Sequence, residues 1–163
     1  MESSNQTEQT AGGKKLHKDK VHWILAHSYT LFFILFLAGV CLDVFLPVKI
    51  FTKSIFAFSG VIFLIFGTFL ILWAQKTSRD LKKENITKET FCQGPYCYTR
   101  SPTHWGLFFL TLGFGLIANA LFVVLTTLIS LIISRFVFLD RQEKILAEKY
   151  GEPYLEYKKT VRF

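Results

Sequence analysis

The sequence predicts an all-α polytopic membrane protein. It has four transmembrane helices, the last two forming a hairpin, and C-terminal amphipathic helices on the cytoplasmic side. Three observations predict this class. Hydrophobic residues make up 51% of the 163 and aromatic residues 17%, against 19% charged, an apolar excess that a soluble domain would struggle to hide. The apolar residues fall into long runs, and the basic residues behind the net charge of +7 cluster outside them. That segregation suits a bilayer headgroup region, and no basic stripe with interleaved aromatics argues for nucleic acid as a partner.

Residues 1–20 read as a disordered N-terminal tail, because MESSNQTEQTAGG is polar and poor in apolar side chains. Residues 21–163 read as a single membrane-embedded domain. A signal peptide is not expected, since the first apolar run begins only at Ile24 and is too long for a signal's apolar core. That run, Ile24 to Leu46, contains one charge, Asp43, and is closed by Pro47. At 1.5 Å per residue it covers the roughly 30 Å of hydrocarbon. Asp43 lies near enough to the interface to reach water or Lys49, and is read as structural. Ser54 to Ala74 is a second uncharged run, with Trp73 as an interfacial anchor.

From Ser101 to Ser134 there are 34 residues without Asp, Glu, Lys or Arg. One helix of that length, about 51 Å, is too long for a simple span. Gly113, Gly115 and Asn119 offer a break, which predicts a hairpin of His104–Ile117 and Ala120–Phe138 with one short arm. Basic residues choose between three spans and four. Four spans place 17 Lys and Arg on one side and 2 on the other, whereas three place 10 against 9. The positive-inside rule prefers four, with both termini cytoplasmic. Only then do the 75–104 loop and the 139–163 tail share a face. The tail reads as a helix through Asp140 to Tyr150, stopped by Gly151, then a second helix with Pro153 in its first turn.

Candidate functional residues form two polar clusters at that face. Tyr96, Tyr98, Arg100, Ser101, Thr103 and His104 lie in the loop; Arg135, Asp140, Arg141, Gln142 and Glu143 lie near the tail. Each has a plainer reading. Arg100 also fits a topology signal, His104 an interfacial residue beside Trp105, and Glu143 a surface charge paired with Lys144 or Arg141. Cys41, Cys92 and Cys97 lack the C-x-x-C spacing, so they read as reduced and incidental, and no metal site is indicated. The glycine-rich phosphate loops and the His-Glu-x-x-His zinc motif are absent.

The pattern Gly94-Pro95-Tyr96-x-x-x-Arg100-x-Pro102-x-x-x-Gly106 is followed by an apolar hairpin. After it come Glu143-x-x-Leu146 and Tyr150-Gly151-x-x-Tyr154-x-x-Tyr157. Together these resemble the isoprenylcysteine carboxyl methyltransferase family, to which the phospholipid methyltransferases are related. The resemblance covers Gly94 to Phe163. It implies a membrane-embedded enzyme that moves a methyl group from S-adenosylmethionine to a lipid-linked or hydrophobic acceptor, at a carboxylate oxygen or an amine nitrogen, among membrane lipids. It further implies a cytoplasmic-face cofactor pocket contributed by Tyr96, Arg100, Ser101, Pro102, His104 and Glu143.

Arg100 would hold the cofactor's carboxylate, Glu143 its ammonium or ribose hydroxyls, and Tyr96 with Pro102 would wall the adenosine. Arg135, with Glu143, is the expected catalytic residue, meeting an anionic group of the acceptor. Two positions depart from the family pattern: Ser101 stands where the family has His, and His104 where it has an aromatic residue. Gln142 also replaces one member of an acidic pair. These departures leave room for a second reading, a non-catalytic membrane scaffold or lipid-binding protein of the same fold.

Overall fold

The computed structural model describes residue 23 and residues 26–50, 55–80 and 88–161. The expected tail over residues 1–20 lies outside the described residues. Among the described residues there is no strand, and a single antiparallel bridge joins Lys49 to Ala120.

The two N-terminal apolar runs form α1 (Ala26–Phe45) and α2 (Ile55–Asp80). Helix α2 continues past its apolar run through Gln75 and Lys76 to Asp80, because good helix formers extend a helix into water at little cost. The 34-residue uncharged stretch breaks where expected. Helix α4 (Pro102–Ala118) ends at Asn119, whose left-handed backbone (φ 53°, ψ 42°) is the usual helix-stopping conformation. The Ala120 N–H then donates to the Gly115 carbonyl at 2.9 Å. Asn119 also accepts a hydrogen bond from the Ile50 N–H through Oδ1, at 2.9 Å.

Helix α5 (Leu121–Ile133) differs from expectation at its far end. It runs through a π-helical turn (Ser134–Leu139) into α6 (Asp140–Tyr150), making one continuous helix of 30 residues. At about 45 Å that helix outreaches the hydrocarbon layer. The change from apolar to charged residues at Asp140 is therefore not a helix end. Among the described residues three helices, Ala26–Phe45, Phe56–Arg79 and Leu121–Tyr150, are long and apolar enough to cross a membrane. Helix α4 is apolar but has only 17 residues, about 25 Å.

Two devices fix these helices against one another. Asp43, the one charge in the first run, caps α5 from a different helix. Its carboxylate accepts the N–H groups of Phe122 at 3.2 Å and Val123 at 2.8 Å, donors that the N-cap residue Ala120 has no side chain to satisfy. Lys49 is thus not its partner among the contacts seen. Asp43→Ala is expected to cost about 1–2 kcal/mol, the range for losing an N-cap acceptor. The thermal midpoint in detergent micelles measures this, and an unchanged midpoint refutes the capping role. The second device is the crossing of α2 and α4, where Gly60 meets Gly113 and Gly67 meets Gly106, backbone against backbone.

Beyond the spans, α3 (Lys88–Phe91) and a 3-10 turn (Gly94–Cys97) lead into α4. Gly151, at φ 63° and ψ −136°, makes the turn between α6 and α7 (Glu152–Thr160), a backbone shape that favours glycine. Helix α7 thereby folds back so that Tyr154, Tyr157 and Val161 form a buried cluster with Phe91, Cys92, Leu146, Ala147 and Tyr150. The Phe91 ring lies 5.1 Å from that of Tyr150 and 5.5 Å from that of Tyr154, both edge-on.

Candidate active site

The loop and the tail, more than forty residues apart in sequence, are joined by an ion pair. Arg100 Nη1 lies 2.5 Å from Glu143 Oε1, and Lys158 Nζ lies 2.7 Å from Glu143 Oε2. The Arg100 and Glu143 side chains are 11% and 7% exposed, and Lys158 is 46% exposed. The inner pair is therefore held away from water while the outer lysine remains solvated. Sequence reasoning offered Glu143 a surface partner on its own helix, Lys144 or Arg141. The fold instead turns Glu143 inward, because the continuous α5–α6 helix presents that face to the loop.

A hydrogen bond repeats the same connection. The Tyr157 hydroxyl donates to the Tyr96 carbonyl at 2.7 Å. Burial raises the pKa of Tyr157 and of Tyr154, and the nearby Glu143 carboxylate pushes both further in that direction. Both phenols thus stay protonated, and that of Tyr157 acts as a donor. The Tyr96 hydroxyl, hydrogen-bonded with Thr103 and Ser78, is also raised above its ordinary value, chiefly by burial.

Beside the pair, a cavity of about 270 Å³ opens between the start of α4 and the π-helical turn. Its polar lining is Ser101, His104, Ser134 and Arg135; Trp105, Leu131, Ile132, Phe136 and Leu139 form the apolar remainder. His104 is buried, and its Nε2 lies 2.7 Å from the hydroxyl of Ser28 on α1. The Ser134 hydroxyl is buried with no hydrogen-bond partner among the described residues. An unmatched polar group in a cavity wall is costly unless something else satisfies it. π-Helical turns of this kind often accompany functional sites.

The residues expected from sequence therefore divide. Ser101, His104 and Arg135 come together in the cavity wall, whereas Tyr96, Arg100 and Glu143 form the neighbouring loop–tail junction. Pro102 is fully buried in the first turn of α4, where it sets the start of the helix and is not among the cavity residues. Four contributors were missed. Lys158 and Phe91 are single residues in charged stretches, and Ser28 and Ser134 are small polar residues in apolar runs. Only Phe91, the one aromatic ring in a charged segment, carried a local signal.

The cysteine reading also requires correction. Cys92 and Cys97 form a disulfide, and Cys41 is free and exposed. Testing only the C-x-x-C spacing overlooked that Gly94, at φ 54°, and the 3-10 turn fold the chain back until the two Cα atoms lie 4.4 Å apart. That separation is within the usual range for a bridge.

The donor set fits a zwitterionic nucleoside: one guanidinium, one carboxylate, hydroxyls and aromatic walls meet within one junction. Among the described residues no cluster of His, Cys, Asp or Glu is arranged to hold a metal. A family model described as phospholipid methyltransferase matches residues 55–153. Comparison with curated proteins and with solved structures gives no match.

Proposed function

The chain belongs to the phospholipid methyltransferase family, and on that premise we propose that it transfers a methyl group from S-adenosylmethionine to a hydrophobic or lipid-linked acceptor at the cytoplasmic membrane face. In this reading α4 is the third of four spans and both termini are cytoplasmic. The observation that carries it is the Arg100–Glu143 pair, which ties the loop motif to the tail motif near a cavity lined largely by apolar side chains.

S-adenosylmethionine supplies, when bound, a methyl carbon already activated by a sulfonium, so the protein's contribution is alignment and exclusion of water. Arg100 holds the cofactor's carboxylate and Glu143 its ammonium or ribose hydroxyls, while Tyr96 walls the nucleoside. Ser101 and His104, on the first turn of α4, extend the same wall into the cavity. Arg135 meets the acceptor's anionic group at the end of the membrane-spanning part of its helix, and the apolar wall of Leu131, Ile132 and Phe136 takes the acceptor's hydrocarbon. A carboxylate acceptor needs no base; an amine must first shed its proton.

Titration calorimetry tests this. Purified protein should bind S-adenosylmethionine with a micromolar dissociation constant, and Arg100→Ala should abolish the heat. Arg135→Ala should keep cofactor binding and weaken acceptor use. Absence of binding at millimolar cofactor overturns the enzyme reading in favour of a lipid-binding scaffold.

A further inference from the structure

The cysteine pair is a chemically active feature that the proposed reaction does not use. Cys92 and Cys97 bracket Gln93 to Tyr96, so the disulfide closes a small ring around the turn. Two of the contacts that hold helix α7 originate in that ring, beside the packing of Phe91, Leu146, Ala147 and Tyr150 on the same cluster. Cys92 itself packs on the Tyr154, Tyr157 and Val161 cluster, and the Tyr96 carbonyl accepts the Tyr157 hydrogen bond. Helix α7 in turn carries Lys158 to Glu143. Both cysteines are half-buried rather than enclosed, so a small reagent can reach the bridge.

We propose that Cys92 and Cys97 are a reversible redox site that exchanges with low-molecular-weight thiols and disulfides such as the glutathione couple, and that its oxidation state sets how firmly the loop holds α7. In the oxidising direction one cysteine thiolate attacks the small disulfide and releases one small thiol. The second cysteine then attacks the mixed disulfide and releases the other. Two electrons pass from the protein to the reagent, and the two cysteine protons leave with the released thiols. The bridge restricts the conformations open to the turn in its undocked state, so docking of α7 is favoured when it is closed. The inference rests on the proposed function only for its consequence at the cofactor site.

Alkylation with N-ethylmaleimide, read by intact mass, tests the redox site on the full chain in detergent. Cys41 is free and serves as the internal reference. Of the three cysteines, none but Cys41 should be open to alkylation after equilibration with oxidised glutathione, Cys41 itself carrying either the alkyl group or one glutathione by exchange, and all three should be alkylated after reduced glutathione. Modification of all three in the oxidised buffer, or of one alone in the reduced buffer, overturns the proposal.

Hydrogen exchange of the amides in residues 154–161 tests the coupling. Exchange should speed about fivefold or more on reduction, and equally in Cys97→Ser without reductant, since Cys97 is not among the residues packed on the cluster. Identical exchange in both states overturns the coupling even where the bridge forms. Titration with S-adenosylhomocysteine separates the two readings, since failure of both redox states to bind it defeats the methyl-transfer reading while mass and exchange still decide the redox site.

Discussion

Glu143→Ala will destabilise the protein by about 3–5 kcal/mol, the range for removing one member of a buried ion pair. The cause is what remains: the Arg100 guanidinium, 11% exposed, loses the carboxylate that lies 2.5 Å away. Lys158→Ala removes the other cation on the same carboxylate, but at 46% exposure that lysine is screened by water, and its loss will cost about 1 kcal/mol or less. Thermal unfolding in micelles should therefore rank the variants Glu143→Ala far below Lys158→Ala. Equal effects would show that the Arg100–Glu143 contact contributes no more than the solvated lysine does.

A paired replacement separates stability from function. Replacing a buried ion pair by apolar residues of similar volume is often neutral or stabilising. Arg100→Met with Glu143→Leu should thus recover most of the midpoint lost by Glu143→Ala alone. It should recover none of the cofactor binding, because no charged group remains for the cofactor's carboxylate or ammonium. Binding by the doubly apolar variant would exclude Arg100 and Glu143 as the cofactor's partners, whatever the stability data show.

How much of this was legible in the sequence follows from which forces are local. Span positions were readable because a bilayer imposes length and polarity on each run: α1 (Ala26–Phe45) lies within the run expected for it, and α2 (Ile55–Asp80) covers the described part of its run and continues beyond it. The break at Asn119 and the turn at Gly151 were readable because each needs a residue that tolerates an uncommon backbone shape, φ 53° and φ 63°. The continuity of α5 into α6 was hidden because composition changes at Asp140 while the backbone does not. Partners were hidden for a different reason. Asp43 finds Val123, and Ser28 finds His104, across 80 and 76 residues, distances over which no periodicity carries information. The joining of Arg100 to Glu143 was anticipated as two clusters on one face. The third member, Lys158, depends on α7 folding back, which the tail's cap residues suggested without fixing its register.

Gly67→Ala will be, with Gly113→Ala, among the most disruptive single-methyl changes in the α2–α4 crossing, because the added carbon meets backbone. A β-carbon at Gly67 falls 2.6 Å from the Leu110 nitrogen and 2.7 Å from the Gly106 carbonyl oxygen, and neither can rotate aside. Gly60 and Gly113 repeat the contact seven residues away on each antiparallel helix, the Gly113 β-carbon falling 2.6 Å from the Gly60 oxygen. In a bilayer such close approach supplies much of the helix–helix attraction, because lipid is as apolar as any side chain. Forcing α2 and α4 apart should cost about 1–3 kcal/mol, the usual range for overpacking, or more where backbone must move. Phe58→Ala, on an exposed α2 position, is the control and should change the midpoint little. Because Ser101 and His104 lie at the start of α4, the displacement should also weaken cofactor binding. Gly67→Ala and Gly106→Ala disturb one contact, so their combined loss should fall short of the sum, whereas Gly67→Ala with Asp43→Ala should add. Full additivity of the two glycine changes would mean that α2 and α4 do not meet at this point.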